Sequence, residues 1–166
     1  MGVPTFYVRL LREPSFDETC WRSMRLFVSG SAPLLDETFH AFERRTGHRI
    51  LERYGMSETG MICSNPLDGE RRPGTVGQPL PGIEVRVVDG EGTILGVGEG
   101  VGILEVRGPN VFSGYFGSPE KTTESFREER FFITGDLALV DSEGSIRLLG
   151  RSSDMIISGG ENVYPK

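Results

Sequence analysis

Five consecutive residues, Tyr54-Gly55-Met56-Ser57-Glu58, bring an aromatic ring, a glycine, a hydroxyl and a carboxylate together. Each suits one part of a nucleotide site. A tyrosine ring can lie on a flat heterocycle. A glycine lets the backbone approach a ligand closely. Ser57 and Glu58 carry hard oxygens of the kind Mg²⁺ accepts beside phosphates. The plainer reading is a core tyrosine followed by a turn, and motifs this short recur without function.

The flanking sequence predicts how this run is positioned. Phe6, Leu10 and Leu11 are spaced for a helix over residues 3–11, with Pro4 in its first turn. A second helix is expected over 16–24. Residues 26–29 read as a short buried strand, and Gly30-Ser31-Ala32-Pro33 then turns the chain. Pro33 opens a helix with Leu35, Phe39 and Phe42 on one face and Gly47 at its end. Residues 48–54 form the next strand. Strand, helix and strand make a βαβ unit, and ligands bind such sheets outside the carboxyl ends of the strands. Gly30-Ser31-Ala32-Pro33 and Tyr54-Gly55-Met56-Ser57-Glu58 both follow carboxyl ends, which places them in one crevice.

Pro73, Gly74, Gly77, Pro79 and Pro81 mark a change of pattern. Beyond them short strands are expected at 83–88, 102–107, 131–133, 137–140 and 145–149. A turn falls at Asp141-Ser142-Glu143-Gly144, and a helix over 118–126 has Ser118 as cap and Pro119 first. Glycine-rich 90–102 reads as a surface hairpin. The expected fold is α/β: part of a mostly parallel sheet domain over 1–75, then a small β-barrel-like or curled-sheet unit over 76–150.

Two further stretches bear on function: Thr134-Gly135-Asp136-Leu137, and Gly150-Arg151-Ser152-Ser153-Asp154 continuing to Ser158-Gly159-Gly160-Glu161-Asn162-Val163-Tyr164-Pro165. In this order and spacing, the three stretches resemble the adenylate-forming enzymes, the acyl-CoA synthetases in particular. The likeness runs over nearly the whole chain. Residues 25–34 and 52–59 look most like the malonyl-CoA synthetase branch.

That resemblance implies a two-step reaction. A carboxylate attacks the α-phosphate of ATP to give an acyl-adenylate and pyrophosphate, and the CoA thiol then displaces AMP. Tyr54, with Gly55 and Met56, would hold adenine. Gly30, Ser31, Ala32 and Pro33 would wall the adenine and acyl side. Ser57 would contact phosphate and Glu58 would hold Mg²⁺, the pair forming the catalytic clamp. Asp136 would accept from both ribose hydroxyls, and Arg151 would reach ribose or phosphate with its planar fork. Ser152-Ser153-Asp154 would be a hinge opening a further domain over 151–166. Serine at position 153 departs from relatives with Asp or Lys there. Ser158, Gly159 and Gly160 would line the pantetheine tunnel of CoA. Each residue also has a structural reading: a turn aspartate, a solvated arginine, an ordinary strand-to-helix turn.

The implied substrates are a carboxylic acid, ATP and CoA, the acid being malonate or methylmalonate. Arg53 is a candidate partner for a second carboxylate. Aryl-CoA, longer-chain and carrier-protein-loading enzymes are the alternatives within the family. A nucleotide-binding module without turnover is the alternative outside it. Such synthetases also carry an upstream phosphate loop and a downstream catalytic lysine. These 166 residues contain neither, so the sequence resembles a middle piece that alone forms no acyl-CoA.

Composition narrows the classes. A net charge of -6 offers no basic footprint for nucleic acid. No stretch approaches the roughly 20 apolar residues of a membrane span. Cys20 and Cys63 make neither a metal cluster nor a disulfide framework, and both are expected as reduced thiols in the cytoplasm. Unpaired strand edges predict self-association.

Overall fold

Helix α1 (Pro4–Arg12) begins where the sequence requires it, with Pro4 at its first position and Tyr7 turned inward. The computed structural model describes residues 1–154 and the backbone of 156–158 and 161–163. Helix α2 is a single turn (Glu18–Trp21), shorter than expected, capped by the Asp17 carboxylate accepting from the Thr19 amide at 2.9 Å. After β1 (Val28–Ser29) comes α3 (Asp36–Thr46), which ends on left-handed Gly47. It starts three residues later than Pro33. Leu35 therefore sits at its N-cap and is exposed, and Leu34 takes the buried place beside Phe39 and Phe42.

β2 (Leu51–Met56) lies parallel to β1. The expected βαβ unit is present, but β2 then turns back at once. The Thr59 amide donates to the Met56 carbonyl, and Gly60 takes a φ of 60°. β3 (Gly60–Ser64), which the sequence pattern does not announce, pairs antiparallel with β2, and β4 (Gln78–Pro79) continues the sheet. The α/β class holds, and this first sheet, in the order β1-β2-β3-β4, is mixed.

The second sheet is antiparallel. It contains β5 (Glu84–Val88), β6 (Ile94–Leu95), β7 (Gly102–Arg107), β8 (Phe132–Val140) and β9 (Ile146–Arg151). Its order is β6-β5-β7-β8-β9, an open sheet rather than a closed barrel. The two strands expected at 131–133 and 137–140 are one strand, β8, carried through Gly135 at φ 74°. Helix α4 (Pro119–Glu124) interrupts between β7 and β8; Ser118 occupies its cap position without a side-chain bond. Asp141 makes the expected turn, its carboxylate accepting from the Glu143 and Ser145 amides. β10 (Ile156–Ser158) and β11 (Glu161–Val163) pair with each other.

Two apolar cores result. One packs α1 and α3 around Phe42, with Tyr7, Phe16, Phe27, Leu34, Phe39 and Ile50. The other joins Ile62 and Cys63 of β3 to Val87, Leu104, Val106, Phe132, Ala138 and Ile146. Because β3 contributes to the second core, it fixes β2 against the antiparallel sheet. That contact sets the position of Tyr54.

Candidate functional site

The site lies where β2 meets β8. Tyr54 projects from β2 into this seam, partly buried against the second core. Its hydroxyl donates to one carboxylate oxygen of Asp136, on β8. Burial and the charge of Asp136 both push the Tyr54 hydroxyl up, so it remains a protonated donor. Arg151, last residue of β9, is the register partner of Asp136. Its Nε lies 3.0 Å from the other Asp136 oxygen, and its Nη1 donates to the Thr134 carbonyl at 2.9 Å.

Thr134 fixes the bend that aims Asp136. Its hydroxyl donates to the Leu104 carbonyl at 2.7 Å and accepts from the Asp136 amide at 3.1 Å. Asp136 is 9% exposed. Burial pushes its carboxyl up from the usual range, while the Tyr54 hydroxyl and the Arg151 charge counteract in part. Tyr54 and Arg151, from two other stretches of sequence, thus converge on the Asp136 carboxylate. Each Asp136 oxygen has more than one lone pair, so capacity remains for further donors.

Glu58 lies on the β2–β3 turn, half-buried, and Ser57 beside it is exposed. The Phe112 amide donates to the Glu58 carbonyl at 2.8 Å. The Tyr115 hydroxyl donates to the Glu58 carboxylate at 3.2 Å. Asn110 donates through Nδ2 to the Thr59 carbonyl at 2.6 Å and the Met61 carbonyl at 3.1 Å. The loop over 108–117 therefore clasps the turn. Sequence reasoning assigns Tyr115, Asn110 and Thr134 no role. For Tyr115 the one available signal was an aromatic pair, Tyr115-Phe116, between Gly114 and Gly117.

Gly55 is needed by its own chain. It sits at a bulge in the β2–β3 pairing. A Cβ there would overlap the Gly60 carbonyl oxygen and crowd the Met61 side chain. The close backbone approach at this glycine is thus made by β3. Met56 packs against the second core.

Gly30 is buried beside Arg53, and a Cβ on it would stand 3.3 Å from the Arg53 carbonyl oxygen and 3.6 Å from its guanidinium carbon. Ser31 holds a left-handed φ of 69°, a conformation that costs a non-glycine residue of order 1–3 kcal/mol. Ser31, Ala32 and Pro33 are exposed and make no side-chain hydrogen bond to Tyr54, Glu58 or Asp136 among the described residues. Arg53 rests its guanidinium on the sulfurs of Met61 and Met1. Among the described residues, no carboxylate lies within ion-pair distance of it.

Residues 1–116 match the model of the AMP-binding enzyme family. The chain belongs to the AMP-binding enzymes. It is 44% identical to a malonate–CoA ligase of Arabidopsis thaliana, over 96% of this chain and 27% of that protein. It superposes with a TM-score of 0.95 on ATP-bound MatB of Rhodopseudomonas palustris, at 54% identity, covering 99% of this chain and 33% of that one. A malonyl-CoA ligase ternary product complex with methylmalonyl-CoA and AMP gives a TM-score of 0.82 at 44% identity, over 97% of this chain and 35% of that one. The chain thus spans about a third or less of the length of these relatives.

Ser57 and Glu58 carry a hydroxyl and a carboxylate on the β2–β3 turn. No group of three or more His, Cys, Asp or Glu side chains could hold a metal among the described residues. A hydroxyl and one carboxylate suit Mg²⁺, which keeps waters and takes its other ligands from phosphates. Ser158 is described as backbone of β10 only, and Gly159 and Gly160 lie outside the described residues. Cys20 is exposed and Cys63 buried, both unpaired; burial pushes the Cys63 thiol up to about 12. No helix among the described residues is long and apolar enough to cross a membrane.

Proposed function

We propose that this chain is the nucleotide-holding segment of an AMP-forming acid–CoA ligase whose acid carries a second carboxylate, malonate or methylmalonate. The observation that carries the nucleotide part is the convergence of Tyr54 and Arg151 on Asp136. A carboxylate with both oxygens anchored and lone pairs to spare suits the two hydroxyls of a ribose. Tyr54 offers its ring to adenine while its hydroxyl holds Asp136. Arg151 positions the same carboxylate and reaches ribose or phosphate.

Ser57 and Glu58 face the phosphates from the β2–β3 turn. Mg²⁺, when held by Glu58 and the nucleotide, would neutralise charge on the phosphates. Glu58 itself is oriented by Tyr115 and by the Phe112 amide. Gly30-Ser31-Ala32-Pro33 forms the wall on the acyl side. Ser152-Ser153-Asp154, a single 3₁₀ turn directly after Arg151, is the hinge of this reading. Ser158, Gly159 and Gly160 would meet the pantetheine arm of CoA. The unpaired thiols fit a reducing compartment such as the cytoplasm. The exposed side chains of Met1, Phe6 and Leu35 support self-association of the isolated chain.

Arg53 decides the acid. It is packed on Gly30 at the wall and has sulfurs rather than carboxylates as neighbours. A second substrate carboxylate would supply the missing anion. The test is a carboxylic acid panel with the full-length enzyme and its Arg53→Ala variant. Malonate should be preferred over propionate and acetate by the parent. Losing a charge-assisted bond worth roughly 1.5–3 kcal/mol should cut kcat/KM for malonate at least about tenfold and spare the monocarboxylates. Equal losses for all acids would assign Arg53 to the scaffold. Preference for a long-chain acid would overturn the malonate reading.

A further inference from the structure

The loop over 108–117 forms an arm that ends on Glu58. Tyr115 stands at its tip, anchored through its amide, its ring and a neighbouring cation. Its amide donates to the Thr122 hydroxyl at 2.9 Å, and that hydroxyl donates to the Ser118 carbonyl at 2.9 Å. Its ring meets Phe112 edge-on, with centroids 4.8 Å apart. Lys121 places its ammonium 4.1 Å from the ring centroid on α4. Gly114 completes the support: a Cβ there would overlap the Thr122 side chain, so the loop closes on α4 only with glycine at this position.

The Tyr115 hydroxyl then donates to the Glu58 carboxylate, and the Phe112 amide holds the Glu58 backbone. A carboxylate on a turn beside an exposed serine would otherwise sample several rotamers. One phenol anchored by ring, amide and cation restricts that choice.

We propose that Tyr115 is a positioning residue for the metal-holding carboxylate: it presets Glu58 so that Mg²⁺ and nucleotide meet an oriented ligand. This rests on the reading of Glu58 given above. Partners of this kind set the orientation of a ligating group, and their loss typically lowers metal affinity by about 10–100-fold. For a half-exposed pair the lower end applies, about tenfold.

The experiment uses the full-length enzyme with Tyr115→Phe, Glu58→Gln and the double variant. Phenylalanine keeps the ring on Phe112 and beneath Lys121, and removes only the donor. Calorimetric titration of ATP over a series of free Mg²⁺ concentrations gives the Mg²⁺ midpoint for nucleotide binding. Tyr115→Phe should raise that midpoint about tenfold, with ATP affinity at saturating Mg²⁺ near that of the parent and an unchanged melting temperature. The double variant should match Glu58→Gln, because the phenol acts through the carboxylate. If Glu58→Gln moves the midpoint and Tyr115→Phe does not, Tyr115 has no positioning role. Additive effects in the double variant would also overturn the proposal. If Glu58→Gln itself leaves the midpoint unmoved, the metal reading of Glu58 falls, and this inference with it.

Discussion

Two aromatic clusters in this chain use tyrosine differently. Around Phe42, the rings of Tyr7 and Phe27 meet edge-on at 5.2 and 4.9 Å. There the Tyr7 hydroxyl donates to the Val28 carbonyl at 2.7 Å, and burial pushes it up to about 12. Around Phe112, rings of Tyr115 and Phe132 pack just as closely, at 4.8 and 5.2 Å. At this end Tyr115 and, nearby, Tyr54 donate to carboxylates. A hydroxyl directed at a backbone carbonyl closes a packing problem. One directed at a carboxylate with unused lone pairs leaves that carboxylate aimed and still able to accept. Ring packing is alike in both places, and the acceptor distinguishes scaffold from site.

The largest effect should come from the first cluster. Phe42 is 0% exposed and touches three other rings. Phe42→Ala should cost about 3–5 kcal/mol of stability by opening a cavity. Chemical denaturation reads this directly. A loss under about 1 kcal/mol would mean the cluster collapses to fill the space, so that it is not the rigid half of the comparison.

Glu52 stands between the two regions on β2 and is 6% exposed, with Oε1 lacking a hydrogen-bond partner. Burial raises its pKa from 4.5 to about 7; the Leu34 and Gly74 amides and Arg147 counteract in part, and Asp36 adds to the rise. The folded state therefore holds this proton more tightly than the unfolded chain. Stability from the neutral carboxyl is full below pH 4.5 and is lost as pH rises to about 7, a fall on the order of 3 kcal/mol. Glu52→Gln should flatten the stability–pH curve over this window. If the variant keeps the slope, another group carries it.

Asp136→Ala tests the site half. In the full-length enzyme it should weaken ATP binding about tenfold or more, since charge-assisted hydrogen bonds are worth roughly 1.5–3 kcal/mol. Tyr7→Phe is its counterpart. It should lower stability by about 1 kcal/mol and leave ATP affinity alone. Calorimetry and denaturation on both variants would separate the roles; an ATP defect in Tyr7→Phe would erase the distinction.

The sequence made the partners legible but not their bonds. Tyr54, Asp136 and Arg151 could be named because each sits in a distinctive run, and the structure joins them. α1 was readable from Pro4, Leu10 and Leu11, although Phe6, read onto its apolar face, is exposed and Tyr7 takes the buried place; β7 was readable to the residue. β3 was hidden: Gly60-Met61-Ile62-Cys63-Ser64 has no alternation, since Ile62 and Cys63 are both fully buried. The start of α3 was missed because Pro33 looked like its first residue, whereas Leu34 is drawn into the core before the helix begins. Tyr115 was missed because its partner is 57 residues away. Nothing local marks a tyrosine whose role is set by a distant turn.

The smallest expected effect sharpens the comparison most within one loop. Phe116 follows Tyr115 directly, yet its exposure is 106%. Gly117, at φ 67°, turns the chain immediately after it. Its neighbour Phe112 instead packs on Tyr115, Phe126 and Phe132. Phe116→Ser removes no buried area and no hydrogen bond, so the stability of the chain should change by less than about 0.5 kcal/mol. Phe112→Ala in the same loop should cost several times more, toward about 3 kcal/mol, and should loosen Tyr115 with it. Thermal melts of the two variants, run side by side, read the difference. A comparable loss in both would show that Phe116 is packed against the chain after all, and that the loop is held by its tip rather than by Phe112, Gly114 and Thr122.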